Sequence, residues 1–240
     1  MQNVSAYVFD VFGTLVDWRG GITRDAAQFL SRHGRAPSQA QAFADAWRGR
    51  YQPAMTEVRE GRRPFTRLDV LHRENLLAIL PDFGLDPASL PAEELDTLTL
   101  AWHRLDPWPD VVPGLTRLRR GAIIAPLSNG NIRLMIDIAK RAGFPWDAVL
   151  GAEAAQAYKP SPEAYLRTAE VLMLPPERVC LVAAHNDDLA AARACGLRTA
   201  FIPRPLEYGP GQETDLAPSA DWDVVAESVE DLADRIGRPR

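Results

Sequence analysis

The 240-residue chain is poor in several things at once. It has two cysteines, Cys180 and Cys195, each set in an apolar segment. Two embedded thiols make neither a disulfide framework nor a metal knuckle, and both are expected as core residues. No stretch approaches the roughly 18 consecutive apolar residues of a membrane span. Basic charge is in deficit, with a net charge of −5 and a pI near 5.4, which argues against a nucleic-acid surface. No basic, apolar leader precedes the first strand-like run, so a soluble, cytoplasmic protein is the expectation. Lysine is the scarcest cation: among 27 basic residues only Lys140 and Lys159 are lysines. Where arginine is the default, a lysine retained before Pro160 points to a use for its compact ammonium.

What is present is a chain 46% hydrophobic, enough for one sizeable core with an insertion. Residues 6–9 form an apolar run of strand type that ends in Asp10 and breaks at Gly13. A buried parallel strand presents a charged residue at its carboxyl end in this way. Asp10 is therefore placed like a nucleophile, although an Asp before a Gly-Thr turn is also ordinary turn chemistry.

Residues 23–33 read as a helix stopped by Gly34. Helical spacing then continues to residue 105 without a convincing strand, with Pro53 expected to kink or end one helix. From Trp108 helices and strands alternate: helix 113–120, strand 122–127, helix 132–142, a short strand at 148–151, helix 162–173, strand 179–183, helix 187–195, strand 199–202 and a closing helix 226–236. Residues 204–220 read as a long Pro- and Gly-rich loop. The pattern predicts an α/β fold, a doubly wound, Rossmann-like parallel sheet built from 1–17 and 107–240, with a helical cap, 18–106, inserted after the first strand. Catalysis is expected at the carboxyl ends of the strands, where such an insertion covers them.

Three further strand ends carry polar groups. Ser128-Asn129-Gly130 follows the second core strand and precedes a helix, where an N-cap is the ordinary explanation. Lys159 lies just before a helix carrying Tyr165, and a surface lysine with a core tyrosine would be unexceptional. Ala184-His185-Asn186-Asp187-Asp188 follows the strand at 179–183, where acidic residues commonly serve a first helical turn.

An Asp in the first strand, Ser-Asn, a lysine before proline and a late acidic helix start, in this order, resemble the haloacid dehalogenase superfamily over nearly the whole chain. Within it the similarity is to the cofactor-free 2-haloacid dehalogenases. Superfamily phosphatases have a second Asp two positions after the nucleophile to protonate the leaving oxygen, and this chain has Phe12. They also carry a metal-binding Asp four positions before that of Asp188, and this chain has Ala184. No metal and no cofactor are expected.

The resemblance implies that the Asp10 carboxylate displaces halide from C2 of a small anionic 2-haloacid with inversion, and that water then hydrolyses the ester to a 2-hydroxy acid. It gives Lys159 the task of holding Asp10, Thr14 and Ser128 that of hydroxyl donors, and Asp188 that of holding Lys159 and the hydrolytic water. Arg48 and Asn129 would bind halide or substrate, with Phe12 and Trp47 as a dry wall and Tyr165 at the family's spacing from Lys159. For Arg48 a solvated helix face, shared with Arg50 and Arg59, is the competing explanation. The best-known subgroup has Ser-Ser-Asn where this chain has Ala183-Ala184-His185. His185 therefore orients water, acts as its base, or simply starts a helix, and small haloacetates including fluoroacetate enter the substrate range. The resemblance also implies a homodimer, which no heptad or apolar patch argues. A phosphatase on a small phosphate ester and a non-catalytic carboxylate-binding protein are the alternative functions.

Overall fold

Ala6–Phe9 (β1) is buried along its whole length, and its backbone is satisfied from both sides. The computed structural model describes residues 3–237. The chain divides into two compact units, one made of its beginning through Asp17 and everything from Asp106 onward, the other of Trp18–Leu105.

The first unit contains Val16–Asp17 (β2), Asp106–Pro107 (β3), Ile123–Ser128 (β4), Leu150–Gly151 (β5), Val179–Ala183 (β6), Arg198–Phe201 (β7) and Val224–Val225 (β8). Six of these strands form one sheet in the order β5-β4-β1-β6-β7-β8, every pair parallel. In register, Val8 faces Ala125 on one side and Leu181 on the other. A central strand covered on both faces cannot alternate polar with apolar residues, which is why β1 and β6 read as continuous apolar runs. One core cluster gathers Ala6, Val8, Leu127, Leu181, Leu189, Phe201 and Trp222. Each large aliphatic side chain there contributes about 1.5–3 kcal/mol over exposure.

Parallel neighbours require crossovers, and helices such as Val111–Leu118, Ile132–Ala142, Pro162–Val171 and Asn186–Ala194 supply them. The predicted α/β sheet is thus present, with boundaries shifted by a few residues. The short antiparallel β2–β3 pair was not foreseen. It aligns Asp17 with Asp106, so Asp106, placed by the sequence with the helical insertion, belongs to the sheet-bearing unit. Cys180 is buried in β6, Cys195 is half-buried, and both are free thiols.

The second unit is helical: Trp18–Arg32, Ala40–Gly49, Tyr51–Arg59, Leu68–Ile79 and Ala92–Thr99, joined by short 3₁₀ turns. The first helix starts five residues earlier than predicted. Gly20 and Gly21 look like breakers, but a Cβ at Gly21 would lie 2.8 Å from Leu105 Cδ2, so the missing side chain allows close packing. Pro53 ends nothing. The break falls at Arg50, and Pro53 sits in the first turn of the next helix, where a missing N–H costs little.

The unit's core is aromatic. Trp102 stacks on Trp18 at 6.2 Å and on His72 at 4.3 Å, and meets Trp47 edge-on at 5.6 Å. Burial pushes His72 down to about 3, so it packs there as a neutral ring. No described helix is long and apolar enough to cross a membrane.

Candidate active site

Asp10 is the first residue beyond β1, and its N–H still donates to Val182 O at 3.0 Å. The chain then turns sharply: Leu15 and Val16 both donate to Val11 O, and Gly13 adopts a left-handed φ of 85°. This turn sends Thr14 back over the strand end, where its Oγ1 donates to Asp10 Oδ2 at 2.7 Å and accepts from Ala184 N at 2.9 Å. Phe12 is buried in the same turn.

Of the two lysines, Lys140 is exposed and Lys159 is buried. Lys159 Nζ lies 2.9 Å from Asp10 Oδ1 and 2.5 Å from Asp188 Oδ2. The other oxygen of Asp188 accepts from Tyr165 Oη at 2.6 Å. Burial penalises charge on all three ionisable groups, and they settle differently. For Lys159 the two carboxylates outweigh burial and hold the ammonium charged well above its ordinary range. Burial alone would also raise Asp10, but Lys159 and His185 hold it far below the usual carboxylate range. Asp188, buried and beside the Asp10 charge, is pushed up despite Lys159. One ammonium thus serves two carboxylates whose surroundings pull in opposite directions, Asp10 downward and Asp188 upward.

His185 continues the row from the end of β6. Its Nδ1 is 3.1 Å from Asp10 Oδ2 and its Nε2 is 2.8 Å from Glu207 Oε2. Glu207 is absent from the sequence-based candidates. It belongs to 204–220, read only as a loop, and its one sequence signal is that it follows the carboxyl end of β7.

Ser128 and Asn129 sit at the same edge in supporting roles. Ser128 Oγ accepts from Gly130 N at 3.1 Å, and Asn129 Oδ1 accepts from Lys159 N at 2.9 Å. The amide expected to reach for halide therefore fixes the lysine's backbone. Among the described residues no three His, Cys, Asp or Glu side chains gather to hold a metal ion.

Asp10, Thr14, Lys159, Asp188, Tyr165 and His185 are thus joined in one hydrogen-bonded group at the carboxyl ends of β1 and β6. The model of the haloacid dehalogenase-like hydrolases matches residues 4–196. The chain belongs to this hydrolase family. An (S)-2-haloacid dehalogenase of Pseudomonas sp. (strain CBS-3) is 31% identical over 217 residues, 87% of this chain and 89% of that protein. Another, from Burkholderia cepacia, is 28% identical over 238 residues, covering 95% and 98%. Among solved structures, a defluorinating L-2-haloacid dehalogenase superposes with a TM-score of 0.95 at 53% identity, over 98% of this chain and 96% of that one.

The remaining candidates of this haloacid dehalogenase-like hydrolase lie in the helical unit. Trp47 is buried there, and its Nε1–H donates to His72 O at 2.9 Å. The Arg48 guanidinium stacks on Tyr51 at 4.0 Å and lies 5.2 Å from the Trp18 ring centre. This aromatic cradle is unlike the solvated helix face that the neighbouring arginines suggested.

Proposed function

We propose that the protein is a cytoplasmic hydrolytic dehalogenase of short (S)-2-haloacids, working through an ester on Asp10. The observation that carries this reading is the state of Asp10: a buried carboxylate held anionic, with Phe12 where an oxygen-leaving group would need an acid. Halide departs as a stable anion and needs no proton.

Asp10 Oδ2 takes two donors and Oδ1 one, so Oδ1 is the freer nucleophile. Its lone pair attacks C2 opposite the carbon–halogen bond, C2 inverts, and halide leaves with the bonding pair. Arg48, a half-buried cation on aromatic faces, is assigned to the departing halide or the substrate carboxylate. Water then adds to Asp10 Cγ and yields one proton to Asp188, the acceptor that burial has raised. Collapse breaks the Cγ–Oδ1 bond, the departing oxygen takes the proton back from Asp188 and leaves in the 2-hydroxy acid, and the proton left on the new Asp10 oxygen passes to solvent and restores the carboxylate. The chain's likeness to relatives named for (S)-2-haloacids and for defluorination supports the substrate class, fluoroacetate included.

The test is halide release from chloroacetate, fluoroacetate and both enantiomers of 2-chloropropionate, with and without a chelator. Chelator-insensitive halide release is expected, abolished by Asp10→Asn with the fold intact. Silence on all four substrates alongside Mg²⁺-dependent hydrolysis of a phosphate ester would refute the reading.

A further inference from the structure

Glu207 is a carboxylate only 1% exposed in a stretch that has neither helix nor strand. Burying a carboxylate is costly unless its surroundings are built for it, and here they are. Arg204 anchors the segment: Nε donates to Thr14 O at 2.8 Å, and the guanidinium fork meets Asp110 at 2.8 and 2.9 Å. Glu207 N then donates to Arg204 O at 3.1 Å, which fixes where the side chain begins. The nucleophile turn is shaped to receive it, since a Cβ on Gly13 would fall 2.0 Å from Glu207 Oε1. The carboxylate that arrives lies 2.8 Å from His185 Nε2, while Nδ1 of that ring faces Asp10 Oδ2.

A carboxylate can only accept, so a ring with a carboxylate at each nitrogen must donate from both. We propose that Glu207 is a positioning residue for ester hydrolysis: it holds His185 as an imidazolium whose Nδ1–H is aimed at Asp10 Oδ2. This inference rests on the reading of Asp10 as the ester-forming nucleophile.

With Oδ1 bonded to C2, Oδ2 is the ester carbonyl oxygen. As the water oxygen bonds to Cγ, the carbonyl pair moves onto Oδ2, where the Thr14 hydroxyl and the His185 Nδ1–H are already in place. When the pair returns, Cγ–Oδ1 breaks and the departing oxygen takes the proton held by Asp188. His185 keeps its proton throughout, and the proton lost by water goes to Asp188. The charged groups around the ring are Glu207 from the loop and Asp10 from the end of β1, with Lys159 and Asp188 beyond Asp10. Burial disfavours charge on the ring, but Glu207 and Asp10 override it and raise His185 well above the ordinary histidine value.

The experiment pairs an NMR titration of the His185 ring nitrogens with rapid-mixing kinetics on chloroacetate, in the wild type and in Glu207→Gln and Glu207→Asp. In the wild type the ring stays doubly protonated well above the pH at which an ordinary histidine deprotonates. In Glu207→Gln it deprotonates at lower pH. The first-turnover halide burst is retained, while ester hydrolysis slows roughly tenfold or more, because a neutral donor replaces a charged one. The ester then accumulates on the peptide containing Asp10, and turnover falls as pH rises through the lowered ring value, where the wild type is flat. Glu207→Asp restores part of both. A wild-type ring that titrates near about 6.5 overturns the proposal even if the variants do not fold. So does a Glu207→Gln enzyme that loses burst and turnover equally with an unchanged pH profile. A wild type that gives no halide and no ester, with a doubly protonated ring, sinks the Asp10 reading instead.

Discussion

Replacing Lys159 by methionine keeps most of the unbranched stem of the side chain and removes the charged end, which isolates what the ammonium does. In the wild type it touches Asp10 Oδ1 at 2.9 Å and Asp188 Oδ2 at 2.5 Å. The two carboxylate oxygens cannot be farther apart than those two bonds end to end. At about 5 Å and an effective dielectric of about 20, two unit charges repel by about 3 kcal/mol, or roughly two pKa units. Without the ammonium the pair must take up a proton, and Asp188 is the site, since Asp10 keeps Thr14 and His185. Breaking the buried pair costs about 3–5 kcal/mol at neutral pH. The sign with pH follows. In the wild type Asp10 is depressed, and its contribution is present above the unfolded carboxylate value and lost as pH falls below it. In the variant Asp188 is raised further, so the folded state holds the extra proton and loses stability as pH rises from about 4 toward neutrality. Urea unfolding of both proteins at several pH values should show a gap that widens with pH, together with a loss of roughly a thousandfold or more in halide release. A gap independent of pH would refute the idea that this lysine holds both carboxylates.

Tyr165→Phe removes the 2.6 Å donor from Asp188 Oδ1. Asp188 then rises further, the acid limb of turnover moves to higher pH, and turnover at neutral pH falls by roughly tenfold, as expected for a hydrogen bond to a charged group. An unmoved acid limb in the pH–rate profile would count against Asp188 as proton acceptor. Arg204→Met strips Asp110 of its guanidinium partner and should cost about 3 kcal/mol by chemical denaturation. Burial raises Asp110 but Arg204 outweighs it and holds the carboxyl low, so the contribution is present above about pH 4 and fades as pH falls below it. Equal losses for wild type and variant on acidification would show that the pair does not act this way.

What could be read from the sequence follows the range of the interactions concerned. The run at β1, the Ser128-Asn129 turn and the acidic start of the helix at Asn186–Ala194 are local patterns, and each lies where expected along the sheet edge. Lys159 stood out only because lysine is rare here, and its burial between two carboxylates gives that rarity a physical reason. Glu207 had no such signal: its meaning comes from Arg204, Gly13 and His185, which are brought together by tertiary folding alone. The tie from Asn129 Oδ1 to the Lys159 backbone was illegible for a similar reason, since that partner is an N–H thirty positions later. β2, β3 and β8 are two residues each, too short for any periodicity.

The position of β1 in the middle of its sheet also governs how the protein can be made. Residues 6–9 are synthesised well before their two partners, residues 123–126 and 179–182. The helical unit, continuous in sequence, is complete before either partner has been synthesised. Until residues 123–126 are available the strand that leads to Asp10 therefore has two open edges, and until 179–182 one, the kind of segment that pairs with the wrong chain. A product that stops before residue 179 would keep one edge open permanently, so truncated chains should aggregate rather than retain partial activity. The strand that leads to Asp10 is made before every other strand of its sheet and is satisfied on both edges only when β6 pairs with it, which couples the placing of that carboxylate to completion of the sheet.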